Sequence, residues 1–143
     1  MSAEENKALV RRFYEQFWNK GDLVSIDELL APDFVDHNPQ ALAPGREGAK
    51  QLLTTYRAAL PDLQITVDDL IAEGDKVVAR YTARGTQRGD MPGIPATGKH
   101  ATVTGIDILR VAGNQIAEHW GEADQLGMMQ QLGVIPMPEP AAR

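Results

Sequence analysis

The chain reads as an α+β fold, a roll in which helices cover one face of a curved, mainly antiparallel sheet. Three observations predict it. Apolar residues recur at helical intervals as far as Pro61, beyond it they alternate in the manner of strands between Gly-containing turns, and 143 residues suit one domain with one core.

In the stretch "SAEENKALVRRFYEQFWNKGD", Ser2 and Glu5 have capping-box spacing. Leu9, Val10, Phe13, Tyr14, Phe17 and Trp18 then follow at helical intervals until Gly21 stops the helix. Ser25 and Glu28 repeat the capping spacing for a short second helix ending at Pro32, and "DFVDHNP" reads as a brief extended segment closed by Pro39. A third helix is expected from about Arg46 to Leu60, with Leu52, Leu53, Tyr56 and Leu60 on one side. Strands follow at "QITVDDLIA", "KVVARYTARGT", "KHATVTGIDILRV" and "QIAEHWGEA", with a Gly/Pro-rich loop, "RGDMPGIPATG", before the third of them. A last short helix is expected at "DQLGMMQQLG". Residues 1–134 form the expected domain, and 135–143 a Pro-rich tail without structure.

A net charge of -6 offers no basic face for phosphates, so nucleic acid is not an expected partner. The chain contains no cysteine, which excludes disulfides, thiolate metal sites and Cys nucleophiles. No apolar run is long enough to span a bilayer, and the start of the chain does not resemble a secretion signal; a cytoplasmic, membrane-free protein is expected.

The stretch "GIDILR" sets a carboxylate, Asp107, within a strand that reads as buried on at least one side, and an unpaired buried charge is costly. What Asp107 meets depends on the final hairpin. A two-residue turn at Gly113-Asn114 would oppose Asp107 to Trp120 and Leu109 to Glu118; a three-residue loop with a bulge would oppose Arg110 to Glu118 and Asp107 to Gly121. The second is preferred because it pairs opposite charges and sorts the faces. Ile106, Ile108 and Trp120 then share one face, and Val103, Asp107, Leu109, His119 and Gly121 the other. His119 comes within reach of Asp107, and a desolvated carboxylate beside an imidazole can shuttle a proton near neutral pH, which suits enolisation of a carbonyl compound. A satisfied structural hydrogen bond or an interface ion pair is the plainer alternative.

The order "LVRRFYEQFWNKGD", "FVDHNP", "YRAALPDLQITVDDLIAEGDKVVARYTARGT", "GIPATGK", "GIDILRVAGNQIAEHWGEAD" and "MMQQLG" resembles the SnoaL-like polyketide cyclases, or predicted ester cyclases, of the nuclear-transport-factor-2-like superfamily. The resemblance implies an NTF2-like cone enclosing a hydrophobic pocket, a homodimer through the outer sheet face, and aldol closure of a polyketide ester by an aspartate and a histidine without metal or cofactor. The family histidine falls at Asp107 and the family aspartate at Gly121, so the carboxylate has crossed the hairpin.

Other residues are weighed beside that pair. Tyr14, Phe17, Tyr56, Leu109, Gly121 and Met128 are expected to line the pocket, with Met91 and Ile94 of the Gly/Pro-rich loop as a lid over it. His37 could reach the pocket or bond within its own turn; Asp124 is expected to cap the last helix or to stand at the pocket mouth; Arg80 could pair with Asp107 across the sheet. The histidines at 37, 100 and 119 do not form a metal motif. Three functions follow: a cofactor-free cyclase or isomerase acting on a small hydrophobic carbonyl compound, an epoxide hydrolase built on Asp107, Arg80 and Asp124, or a dimeric binding protein without chemistry. Solvent oxygen in the product would separate the second from the first.

Overall fold

The computed structural model describes residues 2–38, 41 and 43–136, and the expected tail lies almost wholly outside them. Helix α1, Ala3–Arg12, opens with the capping box: the Ser2 hydroxyl accepts from the Glu5 N–H, and the Glu5 carboxylate accepts from the Ser2 N–H. Where one helix to Gly21 is expected, the chain continues as a π-helix, Phe13–Asn19. The wider turn leaves Phe13, Tyr14 and Phe17 all buried, with the Phe13 and Phe17 rings stacked 5.6 Å apart. Gly21, at φ +69°, then ends the run in a conformation that costs a glycine little.

The second helix forms, α2 at Ile26–Leu29, but not through Ser25 as its cap. Asp22 instead accepts from the Ser25 N–H and starts a 3₁₀ turn, Leu23–Ser25, that leads into it. Pro32 lies inside strand β1, Leu30–Asp36, rather than stopping the helix. It is tolerated there because β1 is a sheet edge, where a missing N–H need not break a ladder. Helix α3, Gly45–Ala59, agrees within a residue with the expected span.

Strands β2 (Gln64–Glu73), β3 (Lys76–Thr86), β4 (His100–Ala112) and β5 (Gln115–Ala123) form the meander, and α4, Gln125–Gln131, closes it. The sheet order is β1-β5-β4-β3-β2, antiparallel except that β1 runs parallel to β5. The fold is the α+β, NTF2-like roll expected, with a curved, unclosed sheet. Along β4, Ala101, Gly105, Asp107, Leu109 and Val111 point inward and buried, while Ile106 and Ile108 face out. Two apolar clusters meet under the helices: one of Phe13, Tyr14 and Phe17 against Val77, Leu109 and Ile116, the other of Leu60, Leu63, Met91, Ile94, Met128 and Leu132. Each such side chain contributes about 1.5–3 kcal/mol by leaving water. No helix among the described residues is long and apolar enough to cross a membrane.

Candidate active site

The hairpin register answers what Asp107 meets. Gly113 and Asn114 both take positive φ, +57° and +67°, as a two-residue type I′ turn requires, so the expected three-residue loop is absent. A bulge nevertheless forms at Ala117, between the Val111–Ile116 and Arg110–Glu118 pairs. It shifts β5 by one residue and so reaches the expected pairing: Arg110 opposite Glu118, bonded at 2.9 Å, and Asp107 opposite Gly121. A two-residue turn without the bulge would have turned His119 to the other face.

Asp107 is 8% exposed and its carboxylate is satisfied on both oxygens. Oδ2 accepts from the Tyr14 hydroxyl, which the π-helix carries to the sheet, and Oδ1 accepts from His119 Nε2 at 2.8 Å. On the far side of the ring, His119 Nδ1 donates to Asp36 Oδ1 at 2.9 Å. Asp36 is presented by edge strand β1 directly beside His119 in the parallel ladder, and the Asn38 N–H also donates to its Oδ1, at 2.8 Å. One imidazole thus bridges two carboxylates, and both of its nitrogens need a proton to do so.

That arrangement sets the charge. Burial disfavours the His119 imidazolium, yet its hydrogen bonds to Asp107 and Asp36 and their negative charges outweigh the burial and push its pKa up to about 9. Burial, then the charge of Asp107 and the hydrogen bond to it, hold the Tyr14 phenol well above its ordinary value, so it stays a donor. The Tyr81 phenol is raised chiefly by burial as well. Its ring lies over Gly105, where a Cβ would stand 2.3 Å from the Tyr81 hydroxyl; only glycine leaves that space.

Above this polar group opens a cavity of about 190 Å³, somewhat larger than the roughly 150 Å³ that admits benzene in an engineered core. Asp36, Asp107 and His119 are on its wall, and most of the rest is apolar, with Phe13, Phe17, Trp18, Leu60 and Val103. Of the expected lining residues, Tyr14, Phe17, Tyr56, Met91, Gly121 and Met128 reach it. Leu109 does not: it is fully buried in the core beneath. Ile94 borders a neighbouring cavity of about 210 Å³ instead.

The segment expected as a lid is packed into the core, with Met91 on the first cavity and Ile94 on the second. Met91 and Ile94 bond to each other through their backbones and pack into the second cluster, and Gln87, fully buried, donates to the Ile94 carbonyl and accepts from the Thr97 N–H and hydroxyl. Arg80 does not pair with Asp107. Its neighbour Ala79 faces Asp107 across the ladder, so alternation turns Arg80 to the outer face, where it binds Asp69 at 2.7 Å and Asp68 at 3.8 Å. His37 likewise points outward, stacked on Trp120 at 5.0 Å and bonded to Glu118 at 2.6 Å. Asp124 caps α4, accepting from the Gly127 N–H.

Asp36 is the site residue that the sequence reading missed. The signal the sequence offered was strand alternation: in an extended "FVDH", Phe34 and Asp36 share a face, and the structure has Phe34 buried, Val35 exposed and Asp36 half-buried on that pattern. Among the described residues no group of three or more His, Asp and Glu side chains is arranged to hold a metal ion, and both nitrogens of His119 are engaged with carboxylates. The group joins two carboxylates through one imidazole on the wall of a largely apolar chamber.

Residues 8–132 match the model of the SnoaL-like polyketide cyclases. Over 138 residues the chain is 30% identical to the aklanonic acid methyl ester cyclase DauD of a Streptomyces species (strain C5), covering 92% of this chain and 83% of that one. It is 37% identical to TsrD from Streptomyces laurentii, with a TM-score of 0.87 over 94% of this chain and 99% of that chain. A putative polyketide cyclase, IdmH from Streptomyces antibioticus, is 36% identical with a TM-score of 0.78, covering 90% and 98%. With a family match spanning most of its length and a shared fold, the chain belongs to the SnoaL-like polyketide cyclase family.

Proposed function

We propose that the protein is a cofactor-free cyclase or isomerase acting on a small hydrophobic, polyketide-like carbonyl compound, with Asp107 as the base and His119 as its charged partner. The observation that carries this reading is the bridge from His119 to Asp107 on the wall of a largely apolar cavity. Asp107, held by the Tyr14 hydroxyl, removes an α-proton, and the adjoining imidazolium on the cavity wall compensates the enolate charge that develops, in a site from which bound substrate would exclude water. The relatives named as aklanonic acid methyl ester cyclases support an ester-bearing substrate. The outward position of Arg80 weighs against an epoxide-hydrolase arrangement of that arginine between Asp107 and Asp124.

A homodimer through the outer sheet face is part of the same proposal. Ile106 and Ile108, 51% and 38% exposed, flank the Trp120 side of that face and support it. Sedimentation of the wild type and of Ile108→Glu tests the dimer. For the chemistry, aklanonic acid methyl ester is incubated with wild type and with Asp107→Asn. Conversion by the first and not the second is expected; equal behaviour of the two overturns the reading.

A further inference from the structure

The proposed function uses Asp107 and His119 and leaves the second carboxylate of the array without a task. Asp36 is not there merely to cap a turn. It meets the imidazole at 2.9 Å on the nitrogen opposite Asp107, it lies on the cavity wall, and it is among the less exposed carboxylates, with a side chain only 12% exposed. Its Oδ1 accepts twice, from His119 and from the Asn38 N–H, whereas its Oδ2 accepts from none of the described residues. Asp107, by contrast, has a protein donor on each oxygen. A carboxylate on the wall of an apolar chamber, with one oxygen held and the other bonded to none of the described residues, is placed to bond to whatever fills that chamber.

We propose that Asp36 is a second substrate-touching catalytic residue, which hands the substrate a proton drawn from His119 Nδ1, so that a substrate is deprotonated by Asp107 at one atom and protonated through Asp36 at another. The inference rests on the acid/base reading above, and it defines the substrate class more closely. The substrate carries an acidic C–H and, in the same molecule, a carbonyl whose carbon can come within bonding distance of that carbon while its oxygen is turned toward Asp36, as a molecule that closes a ring on itself does.

The balance is as follows. Asp107 takes the α-proton, and the electron pair of that C–H bond forms the new C–C bond to the acceptor carbonyl. The π pair of that carbonyl moves to its oxygen. His119 passes its Nδ1 proton to Asp36 and keeps its Nε2 proton facing Asp107. Asp36 then gives its proton to the alkoxide; once product leaves, Asp107 releases the captured proton to solvent and His119 Nδ1 takes one from it, which restores every side chain. No oxidant or reductant enters, the proton drawn from solvent equals the one returned to it, and the net change is an isomerisation.

The test separates the two halves of the relay with two probes. Exchange of the α-hydrogens of 2-tetralone in deuterated water needs the base alone, since the enolate can regain its proton where it lost it. Closure of aklanonic acid methyl ester needs delivery to oxygen as well. Asp36→Asn keeps the shape and the bond from the Asn38 N–H; it is expected to retain exchange within about threefold of wild type and to lose closure by about a hundredfold or more, the range that general acid catalysis supplies. Asp107→Asn is expected to lose both. If Asp36→Asn loses exchange and closure to the same degree, Asp36 only positions His119; if it loses neither, it takes no part; either result overturns the relay. If Asp107→Asn still exchanges, or wild type closes nothing, the acid/base reading falls instead. Should Asp36→Asn fail to fold, Asp36→Glu, which keeps an acid there, is the second variant: folded protein with exchange intact and closure within tenfold of wild type supports the relay, and closure lost with exchange overturns it.

Discussion

The Tyr14 hydroxyl donates to Asp107 across 93 residues of chain, fastening the π-helix to the middle of the sheet where the cavity begins. Helical layer and sheet are joined there by a polar bond that stands within apolar packing. Removing the hydroxyl leaves a buried carboxylate oxygen short of a donor. Tyr14→Phe is therefore expected to fold but to unfold at lower urea, with a loss of about 1–3 kcal/mol, and to turn over an ester probe more slowly than wild type.

His119 makes stability depend on pH in a defined direction. Its folded pKa, about 9, lies above the 6.5 of an unfolded histidine, so its contribution is complete below about pH 6.5 and disappears as pH rises through 9. Urea denaturation across that window should show stability falling by on the order of 3 kcal/mol from this group. Asp36→Asn and Asp107→Asn should each flatten the slope. A slope unchanged in both variants would mean that the two carboxylates do not hold the imidazolium.

Gly121 explains why the carboxylate sits on β4. A Cβ at position 121 would stand 2.4 Å from Asp107 Oδ1 and 2.9 Å from His119 Nε2, inside the bond between them. A side chain at 121 and the Asp107–His119 pair are mutually exclusive. Gly121→Ala should reduce activity by about tenfold or more and return the His119 titration, followed by NMR, toward 6.5. Gly121→Asp alone should be the most damaging change, since it crowds two carboxylates, and Asp107→His added to it should restore stability by exchanging the two groups across the hairpin.

The loop carrying Met91 and Ile94 should behave as core. With Ile94 7% exposed, Ile94→Ser is expected to lower the melting temperature by several degrees, not merely to weaken ligand binding. Gln87→Leu should cost about 0.5–1.5 kcal/mol for each hydrogen bond it removes, those to the Ile94 carbonyl and from the Thr97 N–H and hydroxyl. Differential scanning calorimetry of both variants checks this.

Much of the architecture could be read in the residues because its signals are local. The capping box, the stop at Gly21, the α3 span and the strand alternation each lie within a few positions of one another. The facing of Asp107 could be read because Arg110 and Glu118 gain from pairing, though the bulge that achieves it could not be distinguished from a longer loop by charge alone. Arg80 was misjudged because Asp68 and Asp69, its partners, come from a strand whose own register slips between Val67 and Asp69. Asp36 was overlooked because its meaning depends on β1 returning to lie parallel to β5, a pairing that no local pattern announces.

That parallel pairing has a kinetic side. The four strands from β2 onward join neighbour to neighbour, whereas the contact between Asp36 and His119 spans 83 residues. Closing so long a loop is the slow part of a folding reaction, since its entropy must be lost before the contact repays it. A refolding chain can thus acquire its meander and much of its buried surface while its two carboxylates are still apart. Protection of the β3 and β4 amides from hydrogen exchange is expected to precede that of β1, as pulse labelling during refolding would show.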